Sequence, residues 1–138
     1  MMEQTLIVIK PDGVRRGLIG RVFSRFEDKG FRIVDFRMMT FSKKCAEEFY
    51  SPHMGKPFFQ DLISFIISGP VVAIIVEGSS AIDVVRRMIG PTKSAEAPAG
   101  TIRGDFSLGL TNNIVHASDS SESFVRESAL IFESTFGH

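Results

Sequence analysis

Cysteine is almost absent from this sequence of 138 residues, and so is any excess of one charge sign. The single cysteine, Cys45, excludes a disulfide framework within the chain and gives no basis for a cysteine metal site. Lys and Arg together number 16, as do Asp and Glu, so we expect no overall attraction to nucleic acid or to a membrane surface. The first apolar run is too short for a signal peptide or a transmembrane helix. These features predict a reduced, cytoplasmic setting with no membrane partner.

Several well-known sequence motifs are also missing. The chain contains no Walker P-loop (G-x-x-x-x-G-K-[ST]) and no G-x-G-x-x-G dinucleotide-binding turn. It also lacks H-E-x-x-H, G-x-S-x-G and C-x-x-C, which excludes the commonest zinc-hydrolase, serine-hydrolase and dithiol sites. If the protein handles nucleotides, it must therefore bind them in another way.

What is present is an alternation of apolar runs and helical patterns within one domain, residues 1–138. Hydrophobic residues make up 43% and charged residues 23%, as in globular domains generally. Apolar runs predict strands at 5–9, 31–41, 71–76 and 114–115, with Val34, Phe36 and Met38 on one face of the second. Helical spacing, caps and stop signals predict helices at about 18–29, 42–50, 57–68, 80–89 and 120–134. Residues 91–113 show no period and predict a long functional loop. This order predicts a single sheet domain of mixed α/β or α+β class.

Polar residues stand at the ends of these predicted elements. Three of them are cations, and two are neutral hydrogen-bonding residues, so the set is suited to a polyphosphate. A histidine follows the last short strand. Each of these residues taken alone is more often structural than functional, so only their combination carries weight. The set comprises Lys10, Arg86, Thr92, Arg103, Asn113 and His116.

The combination closely resembles the nucleoside diphosphate kinase family. The resemblance rests on Ile9-Lys10-Pro11-Asp12-Gly13, on Arg103-Gly104-Asp105-Phe106 and on Asn113-Ile114-Val115-His116-Ala117-Ser118-Asp119. Shorter matches occur at 56–59, 68–71 and 100–102, so the likeness runs from about Thr5 to Phe132. It implies a ferredoxin-like α+β sandwich, whose four-stranded antiparallel sheet is covered by helices. It also implies ping-pong transfer of the γ-phosphate from a nucleoside triphosphate to a nucleoside diphosphate, through a phosphohistidine that matches His116.

The resemblance assigns supporting roles to residues around that histidine. Glu127 matches the residue that holds the second ring nitrogen, with Ser118 nearby, and Tyr50 matches a residue that contacts the histidine region. Neutral imidazole is a competent nucleophile near pH 7, which agrees with this assignment. A solvated helix carboxylate remains an alternative for Glu127, and an interhelix packing residue remains one for Tyr50.

The resemblance also assigns the nucleotide contacts. Lys10, Arg86 and Arg103 would neutralise the phosphates. Thr92 and Asn113 would donate hydrogen bonds, Asn113 to the sugar. The base would stack on Phe58 with Leu62 beside it, although Leu62 also fits an ordinary core position. Mg²⁺ is the implied cofactor, held mainly by substrate phosphates and water, because the sequence offers no carboxylate cage.

Some positions depart from the usual family pattern. Lys93-Ser94 replaces Asn-Pro, Ala99 replaces Pro, Thr111-Asn112 replaces Gly-Arg, and Ala117 replaces the Gly after the histidine. The first three changes fall in the loop that packs subunits together in hexameric members. We therefore expect a homo-oligomer built on a dimer, with the hexamer or tetramer left open. One added methyl group at Ala117 is expected to leave the reaction intact.

Other functions stay open at this point. A catalytically weak family member could act as a binding or regulatory module, although the joint presence of the phosphate-site residues argues against it. A single-stranded nucleic-acid binder would use aromatic residues on the sheet face. Phe36 is the only weak candidate for that role, the RNA-recognition strand motif is absent, and the net charge is zero. Nucleic acid is therefore not expected as the main partner.

Overall fold

The four strands form one sheet in which every neighbouring pair is antiparallel. The computed structural model describes residues 2–109 and 112–133. Across the sheet the strands lie in the order β2 (Arg32–Met39), β3 (Val71–Ser79), β1 (Met2–Ile9) and β4 (Val115–Ala117). This four-stranded antiparallel sheet is the predicted α+β arrangement. The predicted strands at 5–9 and 71–76 are confirmed and are longer than expected, whereas the last strand begins one residue later.

Helices connect and cover these strands. The helix predicted to open at Pro57 begins at Phe59 instead. The segment predicted as a long functional loop, 91–113, is not loop throughout, because it contains a short helix and a 3-10 turn at Ser94–Glu96. The departure at Thr111 lies outside the described residues. The helices are α1 (Pro11–Arg15), α2 (Ile19–Lys29), α3 (Lys43–Phe49), α4 (Phe59–Ile66), α5 (Ala81–Ile89), α6 (Ile102–Phe106) and α7 (Ser121–Ser128), which continues as a π-helical turn at Ala129–Glu133.

The sheet separates two hydrophobic cores. Side chains alternate across a strand, so Ile7 and Ile9 of β1 face the core under α2 and α5, while Leu6 and Val8 face the core under α3 and α4. All of these side chains are fully buried. The two central strands therefore carry continuous apolar runs, at 6–9 in β1 and 71–76 in β3, where both of their faces are covered. Side chains that can serve a function therefore lie at the strand ends and in the connecting segments.

One apolar face is not covered. Val34, Phe36 and Met38 on the edge strand β2 are 37%, 60% and 57% exposed. A bulge between Ile33 and Asp35 shifts the register of β2 against β3. The shared face predicted for these three residues exists, but within this chain it packs only partly, through an edge-on contact between the Phe23 and Phe36 rings at 5.4 Å.

The sheet brings the two ends of the sequence together. His116 on β4 pairs with Val8 on β1. Lys10 directly follows the end of β1, and its backbone N–H donates to the carbonyl of Ile114 at 2.7 Å. The first and last predicted motifs therefore meet at one edge of the fold. Among the described residues, no helix is long and apolar enough to cross a membrane.

Candidate active site

A cleft of about 470 Å³ opens where β1, β4, α3, α5 and α7 meet. It gathers the side chains predicted from the sequence, although these come from distant parts of the chain. Ser118 does not line the cleft but is buried directly behind it. The predicted residues that line the cleft are Lys10, Tyr50, Phe58, Leu62, Arg86, Thr92, Arg103, Asn113, His116 and Glu127.

His116 is held through one of its two ring nitrogens. Its Nε2 lies 2.9 Å from Oε1 of Glu127, and the Ser118 hydroxyl donates to the same oxygen at 2.8 Å. Burial alone would raise the pKa of Glu127, but the charge of His116 and the hydrogen bonds from His116 and Ser118 outweigh it and lower that pKa. An ionised carboxylate only accepts hydrogen bonds, so in the neutral imidazole Nε2 carries the proton and Nδ1 keeps its lone pair. Glu127 is therefore a buried partner of the histidine, and not a solvated helix carboxylate.

Aromatic rings at the end of α3 pack against the imidazole. The Phe49 ring meets the His116 ring edge-on, with centroids 4.8 Å apart, and the Tyr50 ring lies 6.4 Å away. Tyr50 is buried, which raises the pKa of its phenol. Sequence analysis missed Phe49, and its place next to Tyr50 in the sequence was the signal available.

Lys10 is a cation forced into a nearly dry position. It is only 5% exposed, and its Nζ donates to Oδ1 of Asn113 at 2.8 Å. Burial, and then the positive charge of Arg103, lower its pKa to about 7, while Asp12 acts in the opposite direction. Burial favours the neutral amine of Lys10, and an anion that binds beside it favours the charged ammonium again.

Arg103 anchors backbone as well as lining the cleft. Its NH1, Nε and NH2 groups donate to the carbonyls of Gly90, Asn113 and Val115 at 2.8, 3.3 and 2.7 Å. Burial, and then the charge of Arg86, lower its pKa to about 10. Arg86 similarly donates to the Ala117 carbonyl at 3.0 Å. Both guanidiniums therefore fix the backbone on either side of His116.

A strained turn precedes the histidine. Ile114 is β-branched and fully buried, yet its φ is +74°, and the Val115 N–H donates across it to the Asn113 carbonyl at 2.8 Å. A γ-turn of this kind costs about 1–3 kcal/mol and persists only where its surroundings hold it. Here Oδ2 of Asp12 accepts from the Ile114 N–H at 3.1 Å. Sequence analysis gave Asp12 no role, because nothing local shows that it reaches across the sheet.

The mouth of the cleft is partly aromatic. Phe58 is 43% exposed, and its ring centroid lies 5.6 Å from that of His53. The Lys56 ammonium lies 5.8 Å from the Phe58 centroid and 3.2 Å from Nδ1 of His53. Burial, and then the charge of Lys56, lower the pKa of His53. Leu62 lines the cleft and also packs against the core under α3 and α4.

Thr92 lines the cleft and also contacts another residue of the site through its backbone. It is exposed at the cleft, and its carbonyl accepts from Nδ2 of Asn113 at 3.2 Å. The Asn113 amide is therefore fixed from both sides, by Lys10 and by Thr92. This arrangement links the loop after α5 to the end of β1.

Known proteins are similar to this chain in sequence and in fold. The family model "Nucleoside diphosphate kinase" matches residues 3–136. The nucleoside diphosphate kinase of Staphylothermus marinus is 61% identical over 131 residues, covering 95% of this chain and 93% of the relative. That of Hyperthermus butylicus is 54% identical, covering 95% and 92%. The halophilic nucleoside diphosphate kinase from Halobacterium salinarum in complex with CDP gives a TM-score of 0.93 at 43% identity, covering 97% of this chain and 90% of that one. The Aquifex aeolicus enzyme gives 0.92 at 43% identity, covering 96% of each.

Proposed function

The chain belongs to the nucleoside diphosphate kinase family, and we propose that His116 is the residue that carries its phosphoryl group. The activity is transfer of the γ-phosphate of a nucleoside triphosphate to a nucleoside diphosphate. The relatives give no support to the alternative of a catalytically weak binding module. Those from Staphylothermus marinus and Hyperthermus butylicus are both named as kinases, and each match covers nearly the whole chain.

One observation carries the proposal for His116, namely the contact between Nε2 and Glu127 at 2.9 Å. Because that contact places the proton on Nε2, the lone pair of Nδ1 attacks the γ-phosphorus. The bond from that phosphorus to the bridging oxygen breaks, and the nucleoside diphosphate leaves. The ring gains positive charge in this step, which the Glu127 carboxylate stabilises. A terminal oxygen of a second diphosphate then attacks the phosphohistidine and restores neutral imidazole.

The phosphates are bound by the cations that line the cleft and by their neighbours. Lys10, Arg86 and Arg103 supply positive charge at positions that are already fixed, so little reorganisation is needed as the phosphoryl group transfers. Thr92 supplies a hydroxyl at the same wall of the cleft. The low exposure of Lys10 and Arg103 strengthens their interactions with phosphate, because water screens them weakly there.

The nucleoside occupies the mouth of the cleft. The exposed face of Phe58 offers a stacking surface for the base, with Leu62 beside it. The Asn113 side chain lies deeper and donates to the sugar. The Halobacterium salinarum relative is described in complex with CDP, which supports a nucleotide site in the same fold.

Mg²⁺ enters the cleft with the substrate and does not occupy a site built from protein side chains. Within residues 2–109 and 112–133, no cluster of three or more His, Cys, Asp or Glu side chains is placed to hold a metal. Such a cleft would suit a metal that arrives with the substrate and would neutralise phosphate charge. Asp119 is the cleft carboxylate that would face this water shell, since the Glu127 oxygens are engaged. The metal supplies charge neutralisation on the β- and γ-phosphates.

The protein acts as a homo-oligomer in the cytoplasm, built on a dimer with the hexamer or tetramer left open. The exposed apolar face of β2 supports this assembly, because edge strands with uncovered apolar side chains readily pair with another copy. Neither nucleic acid nor a membrane is a main partner, in keeping with the zero net charge.

Removal of the nucleophile tests the proposal for His116. His116→Ala should lower turnover of ATP with a nucleoside diphosphate more than about a thousandfold, since no neighbouring group replaces the imidazole. Arg87→Ala is the matched control, because Arg87 forms an exposed ion pair with Asp83 outside the cleft. Initial rates at several concentrations of both substrates should give the parallel reciprocal plots of a ping-pong reaction. Near-normal turnover of His116→Ala would refute the assignment.

A further inference from the structure

Arg126 was not singled out by any sequence motif, yet it lies beside the histidine's partner. It directly precedes Glu127 on α7 and lines the same cleft. Its side chain is 36% exposed, whereas that of Glu127 is only 6% exposed. Arg126 therefore lies at the rim of the cleft and contacts a buried carboxylate, and its substitution should leave no cavity in the hydrophobic core.

The Arg126 guanidinium bridges two elements. Its NH1 donates to the carbonyl of Glu48 at 2.9 Å and to that of Phe49 at 3.3 Å. These carbonyls belong to the last turn of α3, where helix geometry leaves acceptor capacity that a side chain can use. Its NH2 lies 3.5 Å from Oε2 of Glu127. One planar group thus ties the end of α3 to the carboxylate on α7.

Both of these attachment points act on His116. The two oxygens of Glu127 divide their contacts, because Oε1 accepts from His116 and Ser118 while Oε2 faces Arg126. The end of α3 carries Phe49, whose ring packs edge-on against the imidazole. The hydrogen-bond partner and the packing partner of the histidine are therefore held by the same side chain.

We propose that Arg126 is a positioning residue that orients the Glu127 carboxylate and the end of α3, so that His116 keeps its proton on Nε2 and its lone pair on Nδ1. This inference rests on the proposed role of His116. Without the guanidinium, Oε2 loses its charged neighbour and the carboxylate can rotate away from the ring. The imidazole then populates the other tautomer, in which Nδ1 carries the proton and cannot attack phosphorus.

Lysine at this position should not replace arginine fully. A lysine keeps the positive charge near Oε2, but a single ammonium lacks the planar fork that reaches the carboxylate and the α3 carbonyls together. Arg126→Lys is therefore expected to fall between the native chain and Arg126→Met. Arg87→Met is the matched control, because Arg87 pairs with Asp83 at 3.1 Å on the exposed side of α5.

The test combines a spectroscopic and a kinetic measurement on the full chain. Histidine ¹⁵N NMR reports which ring nitrogen of His116 is protonated, and the chain has only three histidines to resolve. Single-turnover mixing with ATP and Mg²⁺ gives the rate of phosphoenzyme formation, and titration of ATP on the His116→Ala background gives the dissociation constant. Arg126→Met should show a mixture of tautomers and a rate reduced roughly tenfold or more, the effect of a misplaced reacting group. Its ATP dissociation constant should change less than about twofold, and Arg87→Met should match the native chain.

Two results would overturn the inference. One is an unchanged tautomer and rate in Arg126→Met. The other is a loss confined to the dissociation constant, which would make Arg126 a substrate contact. If Arg126→Met does not fold, Arg126→Lys carries the same test. A native chain that forms no phosphohistidine at His116 would instead refute the proposed function, while the tautomer measurement would still decide the role of Arg126.

Discussion

At the scale of single residues, the cleft concentrates positive charge where water is scarce. Lys10 and Arg103 are each only 5% exposed, and burial is the largest cause of the lowered pKa of both. Such placement costs folding free energy in the empty protein, because burial removes the charged groups from water. The same placement strengthens polyphosphate binding, since the negative charge of the ligand stabilises the two positive charges that burial destabilises.

Lys10→Met should separate these two effects. The pKa of Lys10 is about 7 in the folded protein, whereas that of an exposed lysine is 10.5, so the unfolded chain binds more protons between about pH 7 and 10.5. Stability of the native protein should therefore rise with pH across that window, and it should rise less in Lys10→Met. The variant should be more stable at pH 7, by about 1–3 kcal/mol, and nearly inactive. Urea unfolding at pH 7 and pH 9.5 measures this, and a Lys10→Met chain less stable than native at pH 7 would contradict the account.

Residues whose own chemistry suits phosphate transfer could be predicted, whereas residues that only support them could not. Lys10, Asn113 and His116 stand at element ends in recognisable order, and the structure brings them together. Asp12 and Arg126 act on partners 102 residues and about 78 residues away in sequence. No periodicity or cap marks such contacts, because the sheet topology alone creates them.

At the scale of elements, the segment between α5 and β4 shows where pattern analysis fails. Helix α6 has five residues, too few for a helical period to appear, and its start depends on the Thr101 hydroxyl accepting from the Gly104 N–H at 3.0 Å. The long strands and α2 were predictable, since each shows a sustained apolar pattern. The short helix matters because it places Arg103 against the backbone before His116.

Gly104→Ala should disrupt this segment. A Cβ at Gly104 would collide with the carbonyl oxygen of Pro98, which is backbone and cannot rotate away. We expect a loss of about 2–3 kcal/mol in the free energy of unfolding and a parallel loss of activity, because Arg103 moves with its neighbour. Gly20→Ala is the matched control, since it lies in α2 with nothing within 4 Å of the added Cβ. The control should be neutral or more stable by about 0.5–1 kcal/mol, and equal melting temperatures for the two variants would refute the packing argument.

At the scale of the whole molecule, the sheet is closed by helices on both faces but open along one edge. The sequence predicted the strand on that edge and its shared apolar face, yet it did not show that this face stays exposed. Exposure depends on which strand lies outermost, and the order β2-β3-β1-β4 follows from topology rather than from the composition of β2. The family resemblance supplied the antiparallel sandwich that periodicity alone left open between α/β and α+β.

Phe36→Arg should weaken association through this edge. Phe36 is 60% exposed at the centre of the β2 face, so a charge there should repel its symmetry mate across a two-fold contact. Light scattering at micromolar concentration should show oligomers for the native chain and mainly monomers for Phe36→Arg. Met2→Arg is the control, because Met2 is similarly exposed, at 66%, but lies on β1 rather than on β2. A native chain that is monomeric, or a Phe36→Arg chain with unchanged mass, would contradict assembly through β2.

The position of the phosphate on the imidazole tests the central claim most directly. The native chain is incubated with ATP and Mg²⁺ without an acceptor, digested in alkali, and its phosphohistidine is compared chromatographically with the two synthetic isomers. Because Nε2 is hydrogen-bonded to Glu127 at 2.9 Å, the account predicts one phosphate per chain, on Nδ1 of His116, that is labile to acid and discharged by a nucleoside diphosphate. Phosphate on Nε2, on Ser118 or on another histidine would contradict it.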